Sequence, residues 1–405
     1  MSQILVAGGG PAGLAAAVAA ARRGADTVLL ERYGFLGGMA TAGLVNPFML
    51  WDPDGEPMVL GLFQEMLDRM TALGGYSCPK EPSAFDPEIF KRVADELCLE
   101  AGVQLRLHTL LTNAEVAQGR ITHVTTESKS GTETWAADIF IDCTGDADLA
   151  FRAGVPCDQG RDEDHLTQPM TLNFRMANVD LDRMPPRDEI NRLYDAAKAQ
   201  QRVTCPRENV LFFYALQPDV IHFNTTRVTG RSGVDAGDLT AAEIEARRQT
   251  HELVRFLLAD VPGFEHAYLQ QTAAQIGPRE TRRIRGRYTL TADDVLSARK
   301  FPDAIARCSY PIDIHNPAGA GTVIRGVPKG DYYEIPYRCL LPLDIDNLLV
   351  AGRCISATHE AQASLRVMPQ CFAMGEAAGL AATLALHHHL PLHQIDPQPL
   401  RPSFS

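Results

Sequence analysis

The sequence predicts an α/β fold: a parallel sheet layered between helices, with a small β-meander and an inserted α+β domain. Three stretches predict it. Ile4-Leu5-Val6-Ala7 is an apolar run that ends in the glycine turn Gly8 to Gly13, continues into an alanine-rich helix and returns as Thr27 to Leu30. Asp138 to Asp142 is a second such run, leading into Cys143-Thr144-Gly145-Asp146. Asn347 to Arg353 is a third, followed by a long small-residue helix from Val367 to His387. Short apolar runs bounded by glycine suit strands buried on both faces, as in parallel sheets.

The first stretch reads as a complete dinucleotide-binding unit. Gly8-Gly9-Gly10-Pro11-Ala12-Gly13 fits G-x-G-x-x-G. Gly8 permits the tight turn, Gly10 lets backbone approach a pyrophosphate, and Gly13 lets helix and strand pack closely. The helix N-terminus offers free N–H groups to the phosphates. Gly24 sits where a helix C-terminal glycine belongs. Glu31 closes the second strand and suits a ribose hydroxyl pair without a 2′-phosphate.

The next stretch, Gly34 to Leu50, is rich in small residues; Gly37, Gly38 and Thr41 would let it pass close to a cofactor. Trp51 to Pro57 is turn-rich, and Met58 to Leu73 reads as an amphipathic helix. Asp86 and Pro87 open another helix as N-cap and first residue, and Gly102 ends it. Val103 to Leu111 reads as one strand. Ala114 to Val116, Ile121 to Glu127 and Thr132 to Ala136 form the meander.

From Asp158 charged and proline-rich stretches alternate with short strand patterns at Met170 to Met176, Val210 to Leu216 and Val220 to Asn224. Glu243 to Leu258 is an amphipathic helix, and Pro262 to Gln275 reads as turn then strand. The expected organisation is a discontinuous nucleotide-binding domain, 1–157 and 330–395, an inserted substrate domain, 158–329, and a tail, 396–405.

Composition narrows the function. The 405 residues carry a formal net charge of −12, which disfavours a nucleic-acid partner. No apolar run reaches about twenty residues, so no membrane span is expected. The reading is a cytoplasmic protein with a small-molecule substrate, compatible with homo-oligomerisation. Nine cysteines are scattered without C-x-x-C or zinc spacing, which suits buried small hydrophobes. His387-His388-His389 reads as a solvated helix end, since three consecutive residues do not share a helix face. No metal site is expected.

The chain resembles the FAD-dependent oxidoreductase family with the glutathione-reductase-type FAD fold. The stretches that carry the resemblance are ERYGFLGGMATAG, FIDCTGDADLAFRAGVP, GPRETRRIRGRYTLTADDV, SYPIDIHNP, YYEIPYRCLLP and NLLVAGRCISATHEAQASLRVMPQCFAMGEAAG. The resemblance implies a Rossmann-like FAD-binding domain. It lays FAD along Gly8, Gly10, Pro11, Ala12, Gly13, Glu31 and Arg32, then Gly38, Met39, Ala40 and Thr41, past Leu111. From there it runs across Thr144, Gly145 and Asp146 to Gly352, Arg353, Arg366, Val367 and Met368. Many flavoproteins have aspartate where Arg353 stands; arginine would instead offer a bidentate donor to the pyrophosphate.

The resemblance puts Leu365 to Met368 at the isoalloxazine edge. There the helix N-terminus and Arg366 would stabilise negative charge on the reduced ring. His359, read in a loop, and His315, in the IDIHNP stretch, are the candidate bases. Arg279 and Arg282, from a dense run ending at Arg287, are candidates for holding a substrate carboxylate. Tyr337 and Arg338 are read as lining the same cleft. The expected activity is oxidation of a small polar substrate at an alcohol or amine carbon, by hydride transfer to flavin N5. The alternatives are an NAD(P)H-dependent flavin monooxygenase or reductase, and a non-catalytic FAD-containing scaffold.

Overall fold

The computed structural model describes residues 2–49 and 57–401. The turn-rich segment expected at Trp51 to Pro57 lies outside them, Pro57 aside, as does the end of the tail. A five-stranded parallel sheet is ordered Leu348–Val350, Ala137–Asp142, Ser2–Ala7, Thr27–Leu30, Gln104–Arg106. The three apolar runs are therefore neighbours in one sheet, with the last in sequence on an edge. The helices Pro11–Arg22 and Met368–His388 pack against each other on one side of it. A Cβ on Gly375 or Gly379 would collide with the carbonyls of Ala12 or Ala16, so the two helices meet backbone to backbone. That approach is why both are built of small residues.

Local signals explain the neighbouring elements. Asp86 accepts from the amides of Glu88 and Ile89 at 2.8 and 3.4 Å and caps the helix Pro87–Ala101. The strand expected from Val103 to Leu111 is two strands. Gln104–Arg106 pairs with the parallel sheet, and Leu110–Ala117 opens the meander with Arg120–Ser128 and Gly131–Trp135. His108, at φ +54°, breaks the run between them.

A second, antiparallel sheet is ordered Phe212–Tyr214, Ile221–Phe223, Phe174–Ala177, Tyr268–Thr272. Phe174 and Phe223 stack at 4.8 Å between ring centres in its core. The helix read at Glu243 to Leu258 runs from Ala236 to Asp260, because the Asp235 side chain caps it through the Asp238 amide at 2.8 Å. Arg187–Ala199 is a further helix, where only charged and proline-rich sequence was read. Leu290, Val295, Phe301, Ile305 and Ile312 belong to the same buried cluster as Ile4, Leu14 and Phe372. Although read within the inserted domain, this stretch thus packs on the nucleotide-binding side. Among the described residues, no helix is long and apolar enough to cross a membrane.

Candidate functional site

The glycine turn after the first strand forms one end of a long cavity. Gly8 has φ +94°, and a Cβ there would sit 2.6 Å from the Cys143 carbonyl. A Cβ on Gly13 would collide with the Gly8 carbonyl, whereas one on Gly10 would meet its nearest neighbour, Gly38 Cα, only at 3.8 Å. Gly8 and Gly13 therefore lock strand, turn and helix together, and Gly10 keeps the cavity face clear. Gly10 is the N-cap and brings no side chain to the helix end. Pro11 and Ala12 of the first turn line the cavity beside it.

Glu31 stands at the end of the second strand and also lines this cavity. Its carboxylate accepts from the amides of Gly9 at 2.7 Å and Tyr33 at 2.9 Å. Burial raises its affinity for a proton, while those two amides and Arg32 pull the other way.

The third wall is the turn after Ala137–Asp142. Asp142 is fully buried and accepts from the Thr144 amide and hydroxyl at 2.9 and 2.7 Å and from the Ala150 amide at 2.8 Å. Burial pushes its carboxyl up to about 6 despite these donors. Asp142 thereby shapes the turn that presents Thr144, Gly145 and Asp146 to the cavity. Arg353, from the turn after the edge strand, pairs with Asp146 at 2.6 Å.

Met39, Arg353, Arg366 and Met368 line both this cavity and a wider chamber beyond it. The chamber has a volume of about 500 Å³, inside the roughly 300–1,000 Å³ usual for small-ligand sites. Asn46, Asn173, Arg207, Asn224, Tyr310 and Asp313 contribute to its wall. The helix Met368–His388 begins at the junction of the two spaces, and its N-cap Val367 brings no side-chain cap.

A family model described as FAD dependent oxidoreductase matches residues 3–403. The chain belongs to that family. FAD is accordingly its cofactor. Among solved structures, BexE, described for oxidation during BE-7585A biosynthesis, is similar at 12% identity with a TM-score of 0.50, over 99% of this chain and 64% of BexE. At that identity the likeness shows the fold alone. A geranylgeranyl bacteriochlorophyll reductase-like protein from Thermoplasma acidophilum is similar at 12% identity and TM-score 0.49, over 96% of this chain and 79% of its own. The anhydrotetracycline hydroxylase OxyS from Streptomyces rimosus gives 14% and 0.44, over 96% and 63%. No curated protein matches the chain in sequence.

The long cavity fits the ADP portion of FAD. Its floor is a glycine turn with an open face at Gly10, its end is a carboxylate, and an uncapped helix start borders it. Of the residues expected along FAD, Gly8, Gly10, Pro11, Ala12, Glu31, Arg32, Gly38, Met39, Thr144, Gly145, Asp146, Gly352, Arg353, Arg366 and Met368 line it. Leu111 lines a smaller adjoining pocket, and Val367 lines the chamber. Gly13, Ala40 and Thr41 line none of these spaces. Ala40 is fully buried, and the Thr41 hydroxyl donates to the Leu36 carbonyl at 2.8 Å. Tyr33, Cys143, Gln275, Ala351 and Cys371 also line the long cavity and were not foreseen.

The expected catalytic residues separate. Arg366, Arg279 and His315 line the chamber. His359 does not line it, and it lies not in a loop but at the first position of a helix, His359–Leu365, capped by Thr358. Arg282 donates to the Asp146 carbonyl at 3.1 Å and to Asp148 at 3.0 Å and lies over the Phe151 ring, away from the chamber. Within the arginine run only Arg282–Ile284 forms a strand. Tyr337 is buried on the Leu392 carbonyl and Arg338 pairs with Asp303 near the surface, so neither lines the cleft.

Proposed function

We propose that the protein oxidises a small polar organic substrate at a carbon bearing a hydroxyl or amine. The observation that carries the reading is the shared wall: Met39, Arg353, Arg366 and Met368 join the dinucleotide cavity to a chamber of small-molecule size whose largely apolar wall carries Asn173, Arg279 and Asp313. FAD held along the first cavity would supply the two-electron acceptor for a hydride leaving the substrate carbon. The uncapped start of Met368–His388, with Arg366 beside it, puts positive potential at the junction where that charge arrives.

The substrate's O–H or N–H proton needs an acceptor, and a histidine was expected in that role. The His315 Nδ1 lies 3.4 Å from an Arg207 nitrogen and 3.1 Å from an Arg227 nitrogen. Arginine only donates, so this lone pair is already engaged. His315 Nε2 faces Asp313 at 3.5 Å. Asp313 itself lines the chamber and also accepts from the Tyr310 hydroxyl at 3.0 Å. Its carboxylate, kept ionised by His315, Arg366 and Arg279, is the group we assign to orient the hydroxyl or amine by accepting its hydrogen bond, while the proton itself is released to solvent.

Anaerobic titration of the FAD-loaded protein with a panel of small alcohols and amines tests the reading. Bleaching of the flavin absorbance by a member of the panel is the expected result. Bleaching by NADPH alone, with no response to any donor, would replace it with the monooxygenase or reductase alternative.

A further inference from the structure

Arginine is concentrated around the chamber beyond what its carboxylates can match. Arg353 is matched by Asp146 at 2.6 Å, and Arg227, just behind the wall, by Glu208 at 3.1 Å. Arg207 reaches the same Glu208 at 4.0 Å, and Arg187, Arg279 and Arg366 remain, with Asp313 the other carboxylate of the lining. Among the described residues, neither Arg279 nor Arg366 forms an ion pair with a carboxylate. Arg279 donates only to neutral acceptors: the Pro169 carbonyl at 2.7 Å, the Thr171 hydroxyl at 2.6 Å and Asn224 Oδ1 at 3.2 Å. Arg366 donates to Gln168 Oε1 at 3.4 Å, and its buried Nε has no hydrogen-bond partner.

A part-buried cation held among neutral dipoles is costly unless an anion joins it. Burial and the guanidiniums of Arg366 and Arg207 both disfavour charge on Arg279. Asn173, on the same chamber wall and 2% exposed, has an Oδ1 without a partner. The wall therefore offers two unmatched guanidinium forks and one free acceptor.

We propose that the chamber takes a carboxylate-bearing substrate, its carboxylate held between Arg279 and Arg366 and its hydroxyl or amine directed to Asn173 and Asp313. The proposal rests on the oxidation proposed above and narrows its substrate to an acid. Arg366 lines both the chamber and the dinucleotide cavity. A carboxylate on it brings the adjoining carbon to the junction, so a 2-hydroxy or 2-amino acid fits better than an acid oxidised far from its carboxylate. Glu208 and Asp313 on the same wall repel a dianion more than a monoanion, which favours a carboxylate over a phosphate.

The test is binding to the FAD-loaded protein, followed by calorimetry and by the shift of the flavin absorbance, with benzoate, benzamide and inorganic phosphate as probes. Benzoate is expected to bind at least about tenfold more tightly than benzamide, the scale of one charge-assisted hydrogen bond. Arg279→Gln and Arg366→Gln are each expected to weaken benzoate by about tenfold or more and to leave benzamide unchanged. Arg366 donates one side-chain hydrogen bond where Arg279 donates three, so its variant decides if Arg279→Gln does not fold. Equal binding of benzoate and benzamide, tighter binding of phosphate, or unaltered benzoate binding by Arg366→Gln overturns the proposal. A protein that binds benzoate as expected, yet is bleached by no hydroxy or amino acid, would sink the oxidation instead.

Discussion

The His359 Nδ1 lies 2.9 and 2.8 Å from the two carboxylate oxygens of Glu280. A carboxylate accepts, so Nδ1 carries the hydrogen and the ring is held by one side. Arg283 pairs with the same carboxylate, and the Gln168 amide donates to it at 3.0 Å. Gln168 in turn accepts from Arg366. His359 thus supports the chamber through Glu280 and Gln168 without touching it. His359→Ala should lower stability by about 1–3 kcal/mol, the usual range for a broken buried hydrogen bond to a charged group. The rate constant of flavin reduction should stay within about threefold, less than half a tenfold step in free energy. Thermal melts and rapid-mixing reduction check this. A large loss of rate at an unchanged melting temperature would return His359 to the reacting atoms.

Gly10 and Gly13 separate binding from folding. Gly13 has no room for a Cβ against the Gly8 carbonyl, whereas Gly10 has. Gly13→Ala should fail to fold or lose several kcal/mol, as overpacking against backbone does. Gly10→Ala should keep its melting temperature without FAD and lose FAD affinity by about tenfold or more, because the methyl enters the face meant for phosphate. Fluorescence titration with FAD, paired with melts of the apoprotein, reads both effects. Normal FAD affinity in Gly10→Ala would mean the pyrophosphate lies elsewhere.

Asp313 is the carboxylate among the chamber's unmatched arginines. Burial alone would raise its proton affinity, but His315, Arg366 and Arg279 hold it well below the ordinary carboxylate range. A depressed carboxyl stays ionised as pH falls through its unfolded value, so Asp313 should contribute no change to benzoate affinity between about pH 5 and 8. Asp313→Asn removes that charge at every pH. It should tighten benzoate several-fold, on the order of 1 kcal/mol for one like charge nearby, and slow reduction by a hydroxyl or amine donor. Weaker benzoate binding in the variant would show that Asp313 is not part of the anion's surroundings.

The dinucleotide end was legible because its constraints are local. Each glycine of the turn answers to a neighbour within a few residues or on the next strand, and Glu31 follows directly from the strand that carries it. The chamber was less so. Asn46, Asn173, Arg207 and Asn224 come from four separate segments, and no spacing links them. Asp313 and His315 were nearer to view, since alternation in Ile312–His315 sets them on one face. Arg279 could be seen as charged but not told from Arg282, because the strand that orients this run is three residues long. His359 was read in a loop because its helix is only seven residues long, with Thr358 as its start signal.

Glu376 was not singled out, being one acid in the small-residue helix Met368–His388. Its carboxylate reaches the start of the Leu62–Ala72 helix and accepts from the Leu62 amide at 3.1 Å. Gly61 is bare beside it, since a Cβ there would collide with the carboxylate. Burial pushes the Glu376 carboxyl up to about 7, against the pull of the Leu62 amide and Arg22. The folded protein therefore keeps this proton to about pH 7, whereas the unfolded chain releases it near its ordinary value of 4.5. Across that window the native state binds more protons, so this group's share of stability is full at low pH and falls as pH rises toward 7. Glu376→Gln keeps an acceptor for the Leu62 amide and has no proton to lose. Relative to wild type it should gain on the order of 2 kcal/mol at about pH 8 and little at about pH 4. Urea unfolding of both proteins at the two pH values measures the difference. A gap between them that does not widen with pH would mean that Glu376 ionises in the fold as freely as in the unfolded chain.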